Sequence, residues 1–246
     1  MAASPQRHHF IPQFYQRGFL TGSAGLIWVY EKYRQPRLRP LRKTGMELDL
    51  YGFTNQQGEF DSQTIESALG VLETNTAPVI KKLEAGNLPN DLERKHLAKF
   101  ISVLLRRTPK HKASVRKMGK EMMPEFFEEH DEKWLFEHIK KRVGDDDKAE
   151  QIFEAKKIEL QELREKYLQE APDWLFPTNI LRESLFEQIL LRMDWAYFRS
   201  SPTIEFLTCD NPVAFSQGTG LKDREAVIMC PLTRTLFLQA MWISSY

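Results

Sequence analysis

The residues best suited to chemistry lie near the start of the chain, where two adjacent histidines precede a glutamine and an arginine. His8 and His9 carry imidazoles, which act as general bases or as metal ligands. Gln13 adds a hydrogen-bonding amide, and Arg17 adds an anion-binding guanidinium. Adjacent side chains of an extended segment point to opposite sides, so at most one histidine faces a given pocket. We predict that one of them belongs to a functional site. The alternative is that this aromatic-rich segment docks as core and that backbone carbonyls satisfy its histidines.

Two charged positions further along the chain are candidates for the same site. Glu66 and Glu73 lie seven residues apart on a predicted helix, so they share a face at a separation of about 10 Å along the axis. That separation excludes a close carboxylate pair, and we take Glu66 as a candidate metal ligand whose co-ligands come from elsewhere. The alternative is a solvated flank of an amphipathic helix.

Arg107 stands in an Arg-Thr-Pro sequence at the predicted end of the next helix. It is a candidate for binding a substrate phosphate or carboxylate, because a guanidinium matches the geometry of these groups. A structural explanation competes with this one. A cation at a helix C-terminus is stabilised by the helix dipole whether or not a ligand binds.

The last candidate positions follow a predicted strand near the C-terminus. Asp210 and Asn211 precede a proline and place an acid and an amide at the strand end, although an Asx-turn explains the same residues without a site. The chain has two cysteines, Cys209 and Cys230, too few for a metal-binding quartet or a disulfide framework. Cys209 has no surrounding pattern that indicates a nucleophile.

Composition narrows the class of protein. Of the 246 residues, 41% are hydrophobic, and 35 Lys and Arg balance 34 Asp and Glu, so a globular protein without a global basic field is expected. The N-terminus has no apolar leader, and the longest apolar runs fall far short of the ~20 residues of a membrane helix. We predict a cytoplasmic protein that does not bind membranes. No phosphate-binding glycine loop, zinc-protease pattern or nucleophile elbow is present, which argues against the large cofactor classes.

Hydrophobic periodicity predicts an α+β fold. The predicted strands lie at 26–33, 48–53, 195–199, 205–208, 212–216, 226–230 and 235–239. The basic segment at 34–43 is expected to be extended or a hairpin, because the spacing of its prolines excludes a helix. The predicted helices run from 61 to 86, from 90 to about 106, from 152 to 168 and from 178 to about 193. We therefore expect a helical middle of about five helices. It is flanked by N-terminal strands and by a small, mainly antiparallel C-terminal sheet, which the N-terminal strands can join.

The chain is predicted to be a single domain over residues 1–246. Residues 110–171 are strongly charged, and the alternation of Glu and Lys between 152 and 168 is typical of an exposed helix stabilised by pairs four residues apart. This region is expected to protrude. The sequence stops at Tyr246, within or just after a strand, which predicts an incomplete C-terminus.

Four segments together resemble a family catalogued as domain of unknown function 4238. They are His8-His9-Phe-Ile-Pro12-Gln13-Phe14-Tyr15, Arg107-Thr108-Pro109, Thr208-Cys209-Asp210-Asn211-Pro212-Val213 and Pro231-Leu232-Thr233. The first is the most specific, and the resemblance spans nearly the whole chain. Cys209 stands where the family pattern has serine, so no hydroxyl role is assigned there. The resemblance implies no established activity, but it marks His8, His9, Gln13, Arg107, Asp210 and Asn211 as motif positions.

These observations lead to two functional hypotheses. The first is a hydrolase for a phosphodiester or nucleotide, with or without a divalent metal. In it one N-terminal histidine, Asp210 and Asn211 are joined by Glu66, while Arg107 holds an anionic group. The second is a non-catalytic binding or regulatory module that meets a protein partner through the helices at 110–171. Nucleic-acid binding through the basic segment at 34–43 ranks third, because the balanced charge supplies no wider basic field.

Overall fold

The computed structural model describes residues 6–22, 24–55, 57–169, 171–216, 218 and 220–243. The chain divides into two compact units, one of Met1–His111 with Pro177–Tyr246 and one of Lys112–Phe176. No helix within these described ranges is long and apolar enough to cross a membrane. The prediction of a single domain over 1–246 stays a prediction.

The first unit begins with short strands that pair in twos. In chain order the elements are β1 (Arg7–His9), α1 (Gln13–Arg17), β2 (Leu26–Val29), β3 (Arg37–Pro40), β4 (Met46–Leu48), β5 (Phe53–Thr54) and β6 (Phe60–Asp61). Strand β1 pairs with β4, β2 with β3 and β5 with β6, all antiparallel. The basic segment at 34–43 is in part as predicted: Arg37–Pro40 forms the second strand of a hairpin with β2, but Leu41–Lys43 turns into a short 3-10 helix directly after Pro40. The predicted strand at 48–53 is interrupted, because Asp49 adopts a φ of 49° and starts a turn that closes from the Gly52 N–H to the Asp49 carbonyl at 3.1 Å.

Two long helices follow, as the periodicity predicts. They are α2 (Thr64–Glu84) and α3 (Asp91–Arg106). A capping box starts α3: the Asn90 side chain accepts from the Glu93 N–H at 2.9 Å, and the Glu93 carboxylate accepts from the Asn90 N–H at 2.7 Å. The face of α3 that includes Leu97, Phe100, Ile101 and Leu104 is fully buried, so packing stabilises this helix more than its caps do.

The Arg-Thr-Pro sequence separates α3 from α4 (Pro109–Glu129). Pro109 occupies the first position of α4, where its missing N–H removes no helical bond. Thr108 precedes it as the cap, and its hydroxyl accepts from the His111 N–H at 3.2 Å. The start of α4 therefore explains why Thr108 and Pro109 occupy these positions. The side chain of Arg107 takes no part in this cap and makes contacts elsewhere.

Charged helices build the second unit, which contains most of α4 together with α5 (Glu132–Val143) and α6 (Asp146–Gln169). The exposed helix expected at 152–168 lies within α6. Among the described residues of α6, Ala149 is the one that is buried. Glu132 of α5 accepts from Lys157 at 3.1 Å and from Gln161 at 3.0 Å, and these contacts join the two helices at their surface.

Two short helices, α7 (Leu175–Leu181) and α8 (Leu185–Arg192), replace the single helix expected up to residue 193. The break has an identifiable cause, since Ser184 caps α8 by accepting from the Glu187 N–H at 3.2 Å. The same hydroxyl lies 2.8 Å from the Ser102 hydroxyl of α3. Ser184 therefore bonds both to α3 and to the N-terminus of α8, which suits a position between two helices better than one inside a helix.

An antiparallel sheet completes the first unit. Its strands are β7 (Asp194–Arg199), β8 (Ala214–Phe215), β9 (Val227–Pro231) and β10 (Leu236–Met241), in the spatial order β7-β10-β9-β8. The predicted strand at 205–208 does not form, because this segment contacts the β9–β10 turn instead of a strand, with the Phe206 N–H bonded to the Arg234 carbonyl at 2.8 Å. The N-terminal strands pair with each other and not with this sheet. Alternate side chains of β10 are buried against α3 and α8, and the α+β class is confirmed.

Tyr15 joins the N-terminal block to the C-terminal sheet, and its removal tests that junction. Its hydroxyl donates to the Pro231 carbonyl at 2.6 Å and lies 2.9 Å from the Thr208 hydroxyl. We expect Tyr15→Phe to lower the free energy of unfolding by about 1–3 kcal/mol, because it leaves buried polar partners unsatisfied. Urea denaturation measures the loss. Tyr30→Phe, at a side chain 68% exposed, is the control and is expected to change little.

Candidate functional site

His8 is enclosed by backbone groups. Its ring is 2% exposed and stacks on Tyr51 with ring centroids 5.1 Å apart. Nδ1 accepts from the Tyr51 N–H at 3.0 Å, so the proton resides on Nε2, which donates to the Ser62 carbonyl at 2.9 Å. With both ring nitrogens engaged, His8 fits the structural alternative, in which backbone groups satisfy the imidazole.

His9 differs from its neighbour, since its Nε2 is buried and has no hydrogen-bond partner. Burial lowers the pKa of His9, hydrogen bonding to the backbone of Leu41 and Arg42 raises it, and the nearby Arg107 cation lowers it, with a net shift below 6.5. The neutral ring therefore presents an unprotonated nitrogen at neutral pH.

Arg107 is the most deeply buried charged residue of this region, at 1% exposure. Its Nη1 donates to Glu73 Oε1 at 2.8 Å, its Nη2 to the His9 carbonyl at 2.6 Å, and its Nε to the Tyr51 hydroxyl at 3.1 Å. The Tyr51 hydroxyl in turn donates to the carbonyls of His9 and Arg107, each at 3.3 Å. Three segments of the first unit thus meet at one guanidinium, and this burial leaves little of its surface for a ligand.

Glu66 lies in the same region and carries the second unpartnered atom, since its Oε2 is buried without a hydrogen bond. Burial raises the pKa of Glu66, the Arg107 cation lowers it, and the Glu73 carboxylate raises it, with a net shift above 4.5. We use the name polar cluster for His8, His9, Tyr51, Glu66, Glu73 and Arg107. Within it, the Arg107–Glu73 ion pair acts electrostatically on both unpartnered atoms, and it is the only ion pair among the cluster's described contacts.

The polar cluster offers acid–base groups but no metal-ligand set. Across the described part of the chain, no three or more His, Cys, Asp or Glu side chains are placed to hold a metal ion together. Glu66, taken from the sequence as a metal ligand, thus belongs to no such group of three, and its role as a ligand stays a prediction.

The other candidate residues lie apart from the polar cluster in the contacts described. Asp210 is exposed and Asn211 is half-buried, with the Asn211 carbonyl accepting from the Cys209 thiol at 3.1 Å. Gln13 opens α1 and is half-buried. Arg17 lines a groove of about 480 Å³ that shares no lining residue with the polar cluster.

Sequence reasoning missed Tyr51, whose buried hydroxyl and backbone N–H hold both Arg107 and His8. Burial raises the pKa of Tyr51 to about 12, so the hydroxyl stays protonated and donates. The available signal was a tyrosine just before Gly52, in a stretch that read as an ordinary strand. Neither its spacing nor its neighbours distinguish it from a core aromatic.

Residues of the first motif segment, which runs from His8 to Tyr15, contact each of the other three motif segments. Arg107 reaches the His9 carbonyl, while Tyr15 reaches both Thr208 and Pro231. Residues 7–241 match the model of a family described as "Protein of unknown function (DUF4238)". The chain belongs to this family. No curated protein and no solved structure matches it. Membership in the DUF4238 family, suspected from the motif segments, is thereby confirmed.

Glu73 forms the ion pair with Arg107, and replacing it measures how much the buried pair contributes to the free energy of unfolding. Glu73→Gln is expected to cost about 3 kcal/mol, the lower end of the range for a broken buried pair, because the Glu73 side chain keeps 24% exposure. Chemical denaturation gives the value. Glu84→Gln, at an exposed position of the same helix, is the matched control, and equal losses in the two variants would contradict the assigned role of Glu73.

Glu66 yields a prediction with a definite sign. The pKa of Glu66 is raised in the folded protein, so the fold favours the neutral carboxyl. This contribution to stability is complete at a pH below the pKa of the unfolded chain. It is lost as the pH rises through the pKa of the folded protein. Glu66→Gln keeps the neutral form at every pH. We expect this variant to melt above the wild type at pH 7 and to lose that advantage toward pH 4. A lower melting temperature at pH 7 would mean that the Glu66 carboxylate is stabilising as an anion.

Proposed function

We propose that this protein is a hydrolase of phosphodiesters or nucleotides in which His9 is the general base and Glu66 the general acid. The observation that carries the proposal is that His9 Nε2 and Glu66 Oε2 are both buried and unpartnered beside the Arg107–Glu73 pair. Buried polar atoms without partners are rare, and perturbed pKa values cluster at functional sites.

The assigned roles follow from the protonation states. His9 Nε2 holds a lone pair and takes a proton from a water molecule as the water oxygen attacks phosphorus. The phosphorus–oxygen bond to the leaving group then breaks, and Glu66 protonates the departing oxygen. A raised pKa keeps the Glu66 proton available to higher pH than an exposed glutamate would, while a lowered pKa keeps His9 unprotonated at neutral pH.

In this mechanism Arg107 positions groups and does not touch substrate. Its Nη2 holds the His9 backbone at 2.6 Å, and its charge acts on both catalytic groups. The buried cation also favours negative charge that develops nearby in the transition state, which suits an anionic substrate. The proposal assigns no metal, since the described side chains supply no group of ligands around Glu66.

Hydrolysis of bis(p-nitrophenyl) phosphate by the full chain tests the proposal. We expect turnover that His9→Gln and Glu66→Gln each reduce by about 100-fold or more, the usual contribution of a general acid or base. The controls are His138→Gln and Glu84→Gln, at exposed histidine and glutamate positions outside the polar cluster. Their rates should equal that of the wild type.

A pH profile separates catalysis from a structural effect. A histidine whose pKa is lowered becomes protonated only below 6.5, so the rate should fall with decreasing pH through that depressed value. NMR titration of the His9 ring should give the same midpoint. Absence of turnover would overturn the proposal and favour a non-catalytic binding module. Turnover that EDTA abolishes and Mn²⁺ restores would reinstate Glu66 as a metal ligand.

A further inference from the structure

A basic cavity elsewhere in the first unit has no role in the proposed hydrolysis. It has a volume of about 680 Å³ and shares no lining residue with the polar cluster. Its lining residues are Leu185, Gln188, Ile189, Arg192, Lys222, Arg224, Trp242 and Ile243. Such a volume falls within the range of sites for small molecules and cofactors.

Three elements form the cavity. One face of α8 supplies residues at positions 185, 188, 189 and 192, a spacing that places them on neighbouring turns of a single helical stripe. The loop between β8 and β9 supplies Lys222 and Arg224, and the chain just after β10 supplies Trp242. The lining therefore combines apolar side chains with three cationic ones.

The cations of the cavity have no acidic partner among the described residues. Arg192, Lys222 and Arg224 are all exposed and none forms an ion pair there. The acids nearest in sequence are Asp194, Asp223 and Glu225. Asp194 accepts from the Ile243 N–H at 3.4 Å, Asp223 accepts from the Gly220 N–H, and Glu225 is exposed and forms no ion pair among the described residues. Because the three cationic side chains are not held by carboxylates in ion pairs, their N–H groups are available to an anion with several oxygen acceptors, such as a phosphate.

Trp242 adds a flat apolar surface to these charges. Its indole Nε1 donates to the Leu221 carbonyl at 3.1 Å, which fixes the orientation of the ring, and the side chain packs against the core. An oriented indole beside cationic side chains suits a ligand that joins an aromatic ring to phosphate groups, because the ring stacks and the phosphates pair.

We propose that this cavity binds a nucleoside diphosphate or a compound of that class, with the base on Trp242 and the phosphates on Arg192, Lys222 and Arg224. The inference does not depend on the proposed hydrolysis, because a separate set of residues forms the cavity. A ligand there links α8, the β8–β9 loop and the end of β10, and the stability that it adds to the folded state grows with the logarithm of its concentration once it exceeds the Kd.

Titration calorimetry of the full chain with ADP, at low salt and without divalent metal, tests the proposal. We expect saturable binding that Arg192→Gln/Arg224→Gln weakens about tenfold or more. The matched control is Lys95→Gln/Arg182→Gln, which removes the same charge at exposed positions outside the cavity and should leave the affinity within about twofold. Because Arg192 and Arg224 are exposed, their replacement removes little packing, and circular dichroism verifies the fold.

A second variant tests whether the base of the nucleotide stacks on Trp242. Trp242→Leu should weaken ADP about tenfold while leaving pyrophosphate unchanged, since only the nucleotide carries a ring. Pyrophosphate that binds wild type as tightly as ADP would overturn the nucleotide assignment. So would ADP affinity that the double arginine variant leaves intact, or the absence of saturable ADP binding. The arginine and tryptophan variants leave every residue of the polar cluster unchanged, so failure of the hydrolase proposal does not affect this result.

Discussion

Burial of the Arg107 guanidinium constrains the rest of the first unit. A cation removed from water is tolerated only where hydrogen bonds and an opposite charge replace its hydration, and here three segments supply them. The carboxylate comes from α2, the carbonyl from β1 and the phenol from the turn after β4. Each segment must hold its position for the guanidinium to be satisfied, so Arg107 specifies their relative placement as well as stabilising it.

The same requirement explains why the neighbouring histidines have different environments. In an extended segment, His8 points toward the turn that contains Tyr51, where backbone donors and acceptors lie within reach of both ring nitrogens. His9 contributes its carbonyl to Arg107 and turns its ring to the other side, where one nitrogen meets the backbone and the other meets no partner. One dipeptide thus serves both a structural contact and a candidate reactive group.

Sequence reasoning succeeded where the physical cause is local and failed where it is distant. Helices α2 and α3 were predictable because their apolar spacing and the cap at Asn90 lie within the segments themselves. The break between α7 and α8 has a local part, the Ser184 cap, which the sequence reading did not use, and a distant part, the hydroxyl contact with Ser102 more than eighty residues earlier, which no window of sequence contains. For the candidate site, residue types indicated the histidines, Glu66 and Arg107. Tyr51 was missed because its role exists only once Arg107 is buried beside it.

The contrast between satisfied and unsatisfied atoms is what sets His9 and Glu66 apart from the rest of the polar cluster. Elsewhere in the cluster, both ring nitrogens of His8 and all three guanidinium nitrogens of Arg107 have hydrogen-bond partners. A buried polar atom without a partner costs about 1–3 kcal/mol, so stability alone gives no reason to leave two beside one ion pair. Within the motif segments, the fold therefore distinguishes His8 and Arg107, whose side-chain nitrogens it satisfies, from His9, whose Nε2 it leaves without a partner.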